Sequence, residues 1–89
     1  MDIDLITAAA ERLEGRAVKT PLLSSPFLDE IAGRRVLVKP ECLQKTGSFK
    51  YRGAFSAVSA LDPALRKNGV IAFSSGNHAQ GIALAARQH

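Results

Sequence analysis

Hydrophobic positions along the chain follow helical spacing in some segments and strand-like runs in others, and turn residues separate them. Apolar residues recur every three or four positions over residues 4–14, which predicts a helix that Gly15 ends in a left-handed conformation. Ser25-Pro26 is typical of a helix start, because serine caps free N–H groups and proline fits the first turn. We expect this second helix to end at Gly33.

Two short apolar runs predict strands. Residues 35–39 hold three consecutive apolar residues, two of them β-branched, and Pro40 closes the run. Residues 70–73 form a similar run after the break at Asn68-Gly69. Each run is followed by a loop and a helical pattern, so two strand–loop–helix units lie in tandem. This order predicts an α/β protein with parallel strands and flanking helices.

Helical spacing returns over residues 48–61, in one turn that begins at Asp62-Pro63, and over residues 79–88. Gly53 lies inside the longest of these helices, where a glycine costs about 1 kcal/mol relative to alanine. We therefore expect a close packing contact at Gly53.

The composition is that of an ordinary globular protein, with 46% hydrophobic and 22% charged residues in 89 positions. The single cysteine, Cys42, excludes an internal disulfide and is typical of a reducing compartment. The acidic start at residues 1–4 is unlike a secretory signal, and no apolar run approaches the ~20 residues that span a bilayer. We therefore expect a cytoplasmic protein without a membrane partner.

The net charge of +4 raises the question of nucleic-acid binding. The basic residues are spread along the chain, in pairs at most, and no zinc-finger, basic-helix or RNA-binding motif accompanies them. A solvated surface accounts for these charges better, so we do not expect a nucleic-acid partner. Nor do we expect a metal site, because Cys42, His78 and His89 lack the spacing of metal ligands.

The loop after the first predicted strand carries a candidate catalytic amine. Lys50 lies in the first turn of the helix predicted from Ser48. The positive end of a helix, together with any burial, favours the neutral amine that attacks carbonyl carbons. A solvated surface charge is the ordinary alternative for a lysine at such a place. The loop is not a nucleotide-binding P-loop, because the Gly-x4-Gly-Lys-Ser/Thr spacing is absent.

The loop after the second predicted strand, residues 74–78, offers hydroxyls, an amide and backbone donors at a helix start. These groups suit a carboxylate or a phenolic oxygen. An ordinary capped turn is the alternative. Ser75 and His78 are not expected to form a nucleophile pair, because no motif supplies the carboxylate that would orient the histidine.

Taken together, the two loops carry a family resemblance. Residues 39–54, KPECLQKTGSFKYRGA, and residues 74–81, SSGNHAQG, closely resemble the N-terminal part of the threonine dehydratase and serine racemase family. These are pyridoxal-phosphate enzymes of the tryptophan-synthase-β fold type, fold type II. The resemblance implies the N-terminal portion of a two-domain fold. Residues 1–68 would belong to the large cofactor-binding domain, and residues 69–89 would open the small domain.

The resemblance also implies roles for individual residues. Lys50 would form the Schiff base with the aldehyde of pyridoxal 5'-phosphate, Phe49 would pack beside the ring, and Asn77 would donate to its phenolic oxygen. Ser75 matches the serine that faces the substrate α-carbon opposite the lysine in racemases. Three polar residues of the second loop would hold the substrate carboxylate: Ser74, Asn77 and His78.

The implied activity is an ammonia-lyase (dehydratase) that converts L-threonine or L-serine to a 2-oxo acid and ammonia, in a homo-oligomer. A serine racemase-type activity, and a non-catalytic piece that acts by association, remain as alternatives. The glycine-rich loop that holds the cofactor phosphate in this family is absent, since no two of the seven glycines are adjacent. We therefore expect an incomplete piece of such an enzyme, inactive by itself.

Overall fold

The computed structural model describes residues 1–89 and contains five α-helices and two short strands. The elements in chain order are α1 (Ile3–Leu13), β1 (Leu23–Ser24), α2 (Pro26–Ala32), β2 (Leu37–Val38), α3 (Lys50–Ala60), α4 (Pro63–Arg66) and α5 (Asn77–Arg87). Two 3-10 turns, Glu41–Leu43 and Lys45–Gly47, connect β2 to α3. All five predicted helices are confirmed to within two residues at each end.

The helix boundaries follow the capping residues that the sequence indicates. The side chain of Ser25 accepts a hydrogen bond from the N–H of Leu28 at 3.4 Å, and Pro26 is the first residue of α2. Gly33 ends α2 with φ 68°, and Gly15 follows α1 with φ 72°. Both glycines adopt the left-handed conformation because no Cβ obstructs it.

The only sheet is a two-stranded antiparallel ladder between β1 and β2, in which Leu23 lies opposite Val38. The predicted strand at 35–39 is thus shortened to two residues, and its partner is antiparallel rather than parallel. The prediction of a strand at residues 70–73 is wrong: the segment is extended, but no backbone hydrogen bond pairs it with a neighbour. A strand exists only as part of a ladder, and this segment has no backbone pairing partner.

The core is small and lies between α3 and α5. Tyr51 is fully buried, and its hydroxyl donates to Oε1 of Gln88 at 2.7 Å, which ties the start of α3 to the end of α5. The other buried apolar residues are Ala54, Phe55, Val58 and Ala85. No helix has the length and apolar character needed to cross a membrane.

The close packing contact expected at Gly53 lies at a different glycine. A Cβ at Gly53 would meet no atom within 4 Å, so that prediction is wrong. A Cβ at Gly81 of α5 would instead stand 3.3 Å from the Cβ of Ala54 and 3.3 Å from the carbonyl carbon and oxygen of Lys50. Gly81 therefore brings α5 against the first turn of α3, where the candidate catalytic lysine lies.

Candidate active site

The lysine loop turns sharply before α3. Thr46 has φ 64° and Gly47 has φ 76°, two successive left-handed residues that reverse the chain. A left-handed threonine is strained, because its Cβ crowds the backbone. The hydroxyl of Thr46 is buried without a hydrogen-bond partner, so its bonding capacity is unused within this chain. Ser48 follows and accepts a hydrogen bond from the N–H of Lys50 at 3.4 Å.

A buried amide fixes the loop from behind. Gln44 is 4% exposed, and its Oε1 accepts from the N–H groups of Val18 at 2.9 Å and Lys45 at 3.0 Å. Its Nε2 donates to the carbonyl oxygen of Val18 at 2.9 Å. The side chain thus pairs with the backbone at Val18 as a neighbouring strand would, and it holds that segment against the lysine loop.

An ion pair completes this support. Nε of Arg52 donates to Oε2 of Glu41 at 2.7 Å, and Nη2 of Arg52 donates to Oε1 at 2.8 Å. The hydroxyl of Thr20 also donates to Oε1 of Glu41, at 2.6 Å. We call Thr20, Glu41, Gln44 and Arg52 the polar frame. Because Arg52 follows Lys50 by two residues, the pair tethers the first turn of α3.

The frame changes the protonation behaviour of its own members. The hydrogen bonds from Arg52 lower the pKa of Glu41 to about 2, against the opposing effect of burial. The same bonds raise the pKa of Arg52. The sequence pattern assigns no role to Glu41 and Arg52, although both lie within the lysine motif. A carboxylate and a guanidinium eleven positions apart on either side of the lysine loop were the available signal.

The structure brings the two sequence motifs together in one cleft between α3 and α5. Lys50 is the first residue of α3, is exposed, and holds its Nζ 5.2 Å from the centre of the Phe49 ring. His78, in the first turn of α5, lines the same cleft. The cleft measures about 290 Å³, and its lining residues are Phe49, Lys50, Gly53, Ala54, Ala57, His78 and Ile82.

The remaining predicted site residues are not part of the lining of the cleft. The Oγ of Ser74 accepts a hydrogen bond from the N–H of Gly76 at 3.1 Å, which closes the loop before α5. Ser75 is exposed in that loop, and Asn77 is the exposed first residue of α5. Lys50, Phe49 and His78 thus share one cleft, and Ser74, Ser75 and Asn77 precede His78 in the chain. Their individual roles remain predictions.

The cleft suits an aromatic aldehyde cofactor. It offers a primary amine, an aromatic ring and, at Gly53, an open wall that a Cβ would narrow. Its volume is close to the lower limit of about 300 Å³ for small-molecule sites. Lysine is the side chain that condenses with aldehydes. The residues present therefore fit pyridoxal phosphate, with Lys50 as the attachment point.

Comparison with known proteins identifies the class of fold and then the family. The chain superposes on maize serine racemase with a TM-score of 0.92 and 44% sequence identity, covering 98% of this chain and 27% of that one. The fold is accordingly part of a pyridoxal-phosphate enzyme of fold type II. The profile of the "pyridoxal-phosphate dependent enzyme" family matches residues 13–89, and the chain belongs to this family. The fold class and the cofactor implied by the two loops are confirmed.

Two relatives are named for an ammonia-lyase activity and a dehydratase activity. An L-threo-3-hydroxyaspartate ammonia-lyase of a Pseudomonas species is 63% identical over 82 residues, which are 92% of this chain and 26% of the relative. A catabolic L-threonine dehydratase of Escherichia coli is 46% identical over 83 residues, which are 93% of this chain and 25% of the relative. The chain therefore spans about a quarter of the length of the relatives it matches.

Proposed function

We propose that the protein is a pyridoxal-phosphate-dependent ammonia-lyase that converts a small 3-hydroxy amino acid to a 2-oxo acid and ammonia. The observation that carries this proposal is the cleft in which Lys50 from one motif and His78 from the other meet. The resemblance of the two loop sequences to the threonine dehydratase and serine racemase family favours L-threonine or L-serine as substrate. The 63% identical relative adds L-threo-3-hydroxyaspartate to the candidates.

In this proposal, Lys50 provides the amine that holds the cofactor and that takes the α-proton of the substrate. Phe49, whose ring lies beside the Lys50 amine, packs against the cofactor ring. Asn77 donates to the phenolic oxygen of that ring from the start of α5. When bound, the cofactor supplies an electron sink for the pair left on the α-carbon.

The second loop holds the substrate carboxylate. Ser74 uses its oxygen to accept from the N–H of Gly76, so its own O–H remains free to donate. Asn77 and His78 lie in the first turn of α5, where free N–H groups and the positive helix end favour an anion. In this proposal, these donors bind the substrate carboxylate at the start of α5.

The division into domains belongs to the same proposal. We assign residues 1–68 to the large domain and residues 69–89 to the small domain, so that the cleft lies where the two meet. The close contact between Gly81 and Lys50 supports a fixed relation between the two motifs. A homo-oligomer and a cytoplasmic location complete the proposed description.

Racemase activity is the second candidate function. It is supported by the likeness to maize serine racemase and by Ser75, which is exposed in the loop that leads into α5. In a racemase, Ser75 would return a proton to the face of the α-carbon opposite Lys50.

The decisive experiment for the cofactor role uses Lys50→Ala in the protein as its natural gene encodes it. We expect the visible absorption of the bound cofactor and the release of 2-oxo acid from each of the three substrates to disappear. Lys67→Ala removes another exposed lysine and should leave both unchanged. Full turnover in Lys50→Ala would remove the lysine from its proposed role.

Ser75→Ala separates the two candidate functions. If Ser75 is the second acid–base group, the variant should lose D-amino-acid formation while it keeps most deamination of the L-isomer. Chiral chromatography of the products alongside a 2-oxo acid assay measures both. If the unmodified protein forms no D-isomer, the racemase candidate is excluded.

A further inference from the structure

Two helical glycines flank the lysine, and their surroundings differ. Gly81 has a reason to lack a side chain, because a Cβ there would stand 3.3 Å from the backbone of Lys50. Gly53 has no such reason within this chain, because no atom lies within 4 Å of the place where its Cβ would be. A glycine inside a helix is unfavourable relative to alanine, so packing does not account for Gly53.

The position of Gly53 relative to Lys50 suggests what the missing side chain provides. Residues three apart on a helix lie on the same face, so Gly53 and Lys50 are neighbours along the surface of α3. Gly53 and Lys50 both line the cleft, and His78 of α5 contributes to the same lining. A side chain at position 53 would therefore extend into the volume next to the lysine amine.

We propose that Gly53 determines which ligands the cleft accepts, by leaving beside Lys50 the space that the cofactor ring requires. This inference rests on the proposed function and adds a size limit to it. Gly81 acts in the opposite sense, because it allows α5 to approach Lys50 and keeps the cleft narrow. Gly81 thus sets the distance between α3 and α5, and Gly53 leaves space in the cleft between them.

The test is a size series at position 53 in the protein as its natural gene encodes it. Alanine and leucine are both strong helix formers, so Gly53→Ala and Gly53→Leu should raise the midpoint of thermal unfolding measured without cofactor. The dissociation constant for pyridoxal phosphate, from absorbance titration, should increase at least tenfold in Gly53→Ala and further in Gly53→Leu. Borohydride reduction followed by peptide mass spectrometry should show a matching decrease in label on Lys50.

A higher unfolding midpoint together with weaker cofactor binding would show that Gly53 leaves space for the ligand. A structural role for Gly53 would instead change stability and binding in the same direction. Gly81→Ala is the matched control, and it should lower both the unfolding midpoint and cofactor binding.

If the unmodified protein binds pyridoxal phosphate at Lys50 and the Gly53 variants bind it with a dissociation constant within twofold of the unmodified value, the inference about Gly53 is overturned while the proposed function stands. A lower unfolding midpoint in Gly53→Ala also overturns it, since the side chain would then clash with the protein. If the unmodified protein does not bind the cofactor at Lys50, the proposed function and this inference both fail.

Discussion

At the scale of single residues, the polar frame decides where the lysine loop lies. Glu41 accepts hydrogen bonds from both Arg52 and Thr20. The side chain of Gln44 forms the hydrogen bonds with the backbone of Val18 that a neighbouring strand would form. A hydrogen bond to a charged partner contributes about 1.5–3 kcal/mol, more than most surface contacts. The frame thus supports a strained loop in which Thr46 is left-handed.

The frame predicts a pH dependence of stability. The pKa of Glu41 is lowered from 4.5 to about 2 in the folded chain. A carboxyl with a lowered pKa stabilises the fold above its unfolded pKa, and this stabilisation is lost as the pH falls from about 4.5 towards 2. The contribution is about 3 kcal/mol at most, and less because the pair is partly exposed.

Glu41→Gln should therefore lower the free energy of unfolding at pH 7 and flatten its decrease between pH 5 and pH 3. Urea unfolding at several pH values measures both effects. Glu30→Gln removes an exposed carboxylate of α2 and is the control with an unchanged profile. Parallel pH profiles for Glu41→Gln and the unmodified chain would contradict the assigned ion pair.

At the scale of elements, the packing of α3 against α5 positions the site. The helices share the core residues Tyr51 and Ala85, and Gly81 packs closely against the backbone of Lys50. His78 lies one turn before Gly81 on α5, so the same contact brings His78 to the mouth of the cleft. The separation of α3 and α5 therefore sets the width of the cleft.

Gly81→Ala should destabilise the chain although alanine is the better helix former. The gain in helix propensity is about 1 kcal/mol, and overpacking against a backbone costs about 1–3 kcal/mol. We expect a net loss of about 1 kcal/mol in the free energy of unfolding, seen in thermal or urea unfolding. An increase in stability would show that α5 can shift without cost.

At the scale of the whole molecule, much apolar surface is exposed. Ile71 and Phe73 are 99% and 102% exposed, and Phe27 and Ile31 of α2 are 81% and 84% exposed. The radius of gyration is 15.9 Å, whereas a compact domain of this length has about 12 Å. Such surface favours association, and an open cleft admits water to the reacting groups.

We expect the 89 residues alone not to sustain catalysis. The purified chain, supplied with pyridoxal phosphate and L-threonine, should form no more 2-oxobutanoate than its Lys50→Ala variant, because an exposed lysine lacks a water-excluding site. Light scattering should show association at the same time. Saturable turnover that disappears in Lys50→Ala would demonstrate that the chain is self-sufficient.

The sequence by itself determined the helices and the family. The helix at residues 4–14, the start at Ser25-Pro26 and the stop at Gly33 depend on spacing, capping and backbone freedom, which act over a few residues. The two loop motifs likewise indicated the family and its cofactor, because they hold particular residue types in a fixed order.

Only the tertiary structure decided which segments meet. Residues 70–73 have the composition of a strand, yet no ladder forms because pairing depends on a distant neighbour. The close contact lies at Gly81 and not at Gly53, since helix crossing depends on the surfaces of both helices. The ion pair of Glu41 and Arg52 depends in the same way on how the loop folds back upon α3. Contacts between residues far apart in the chain follow from packing geometry, which local patterns do not contain.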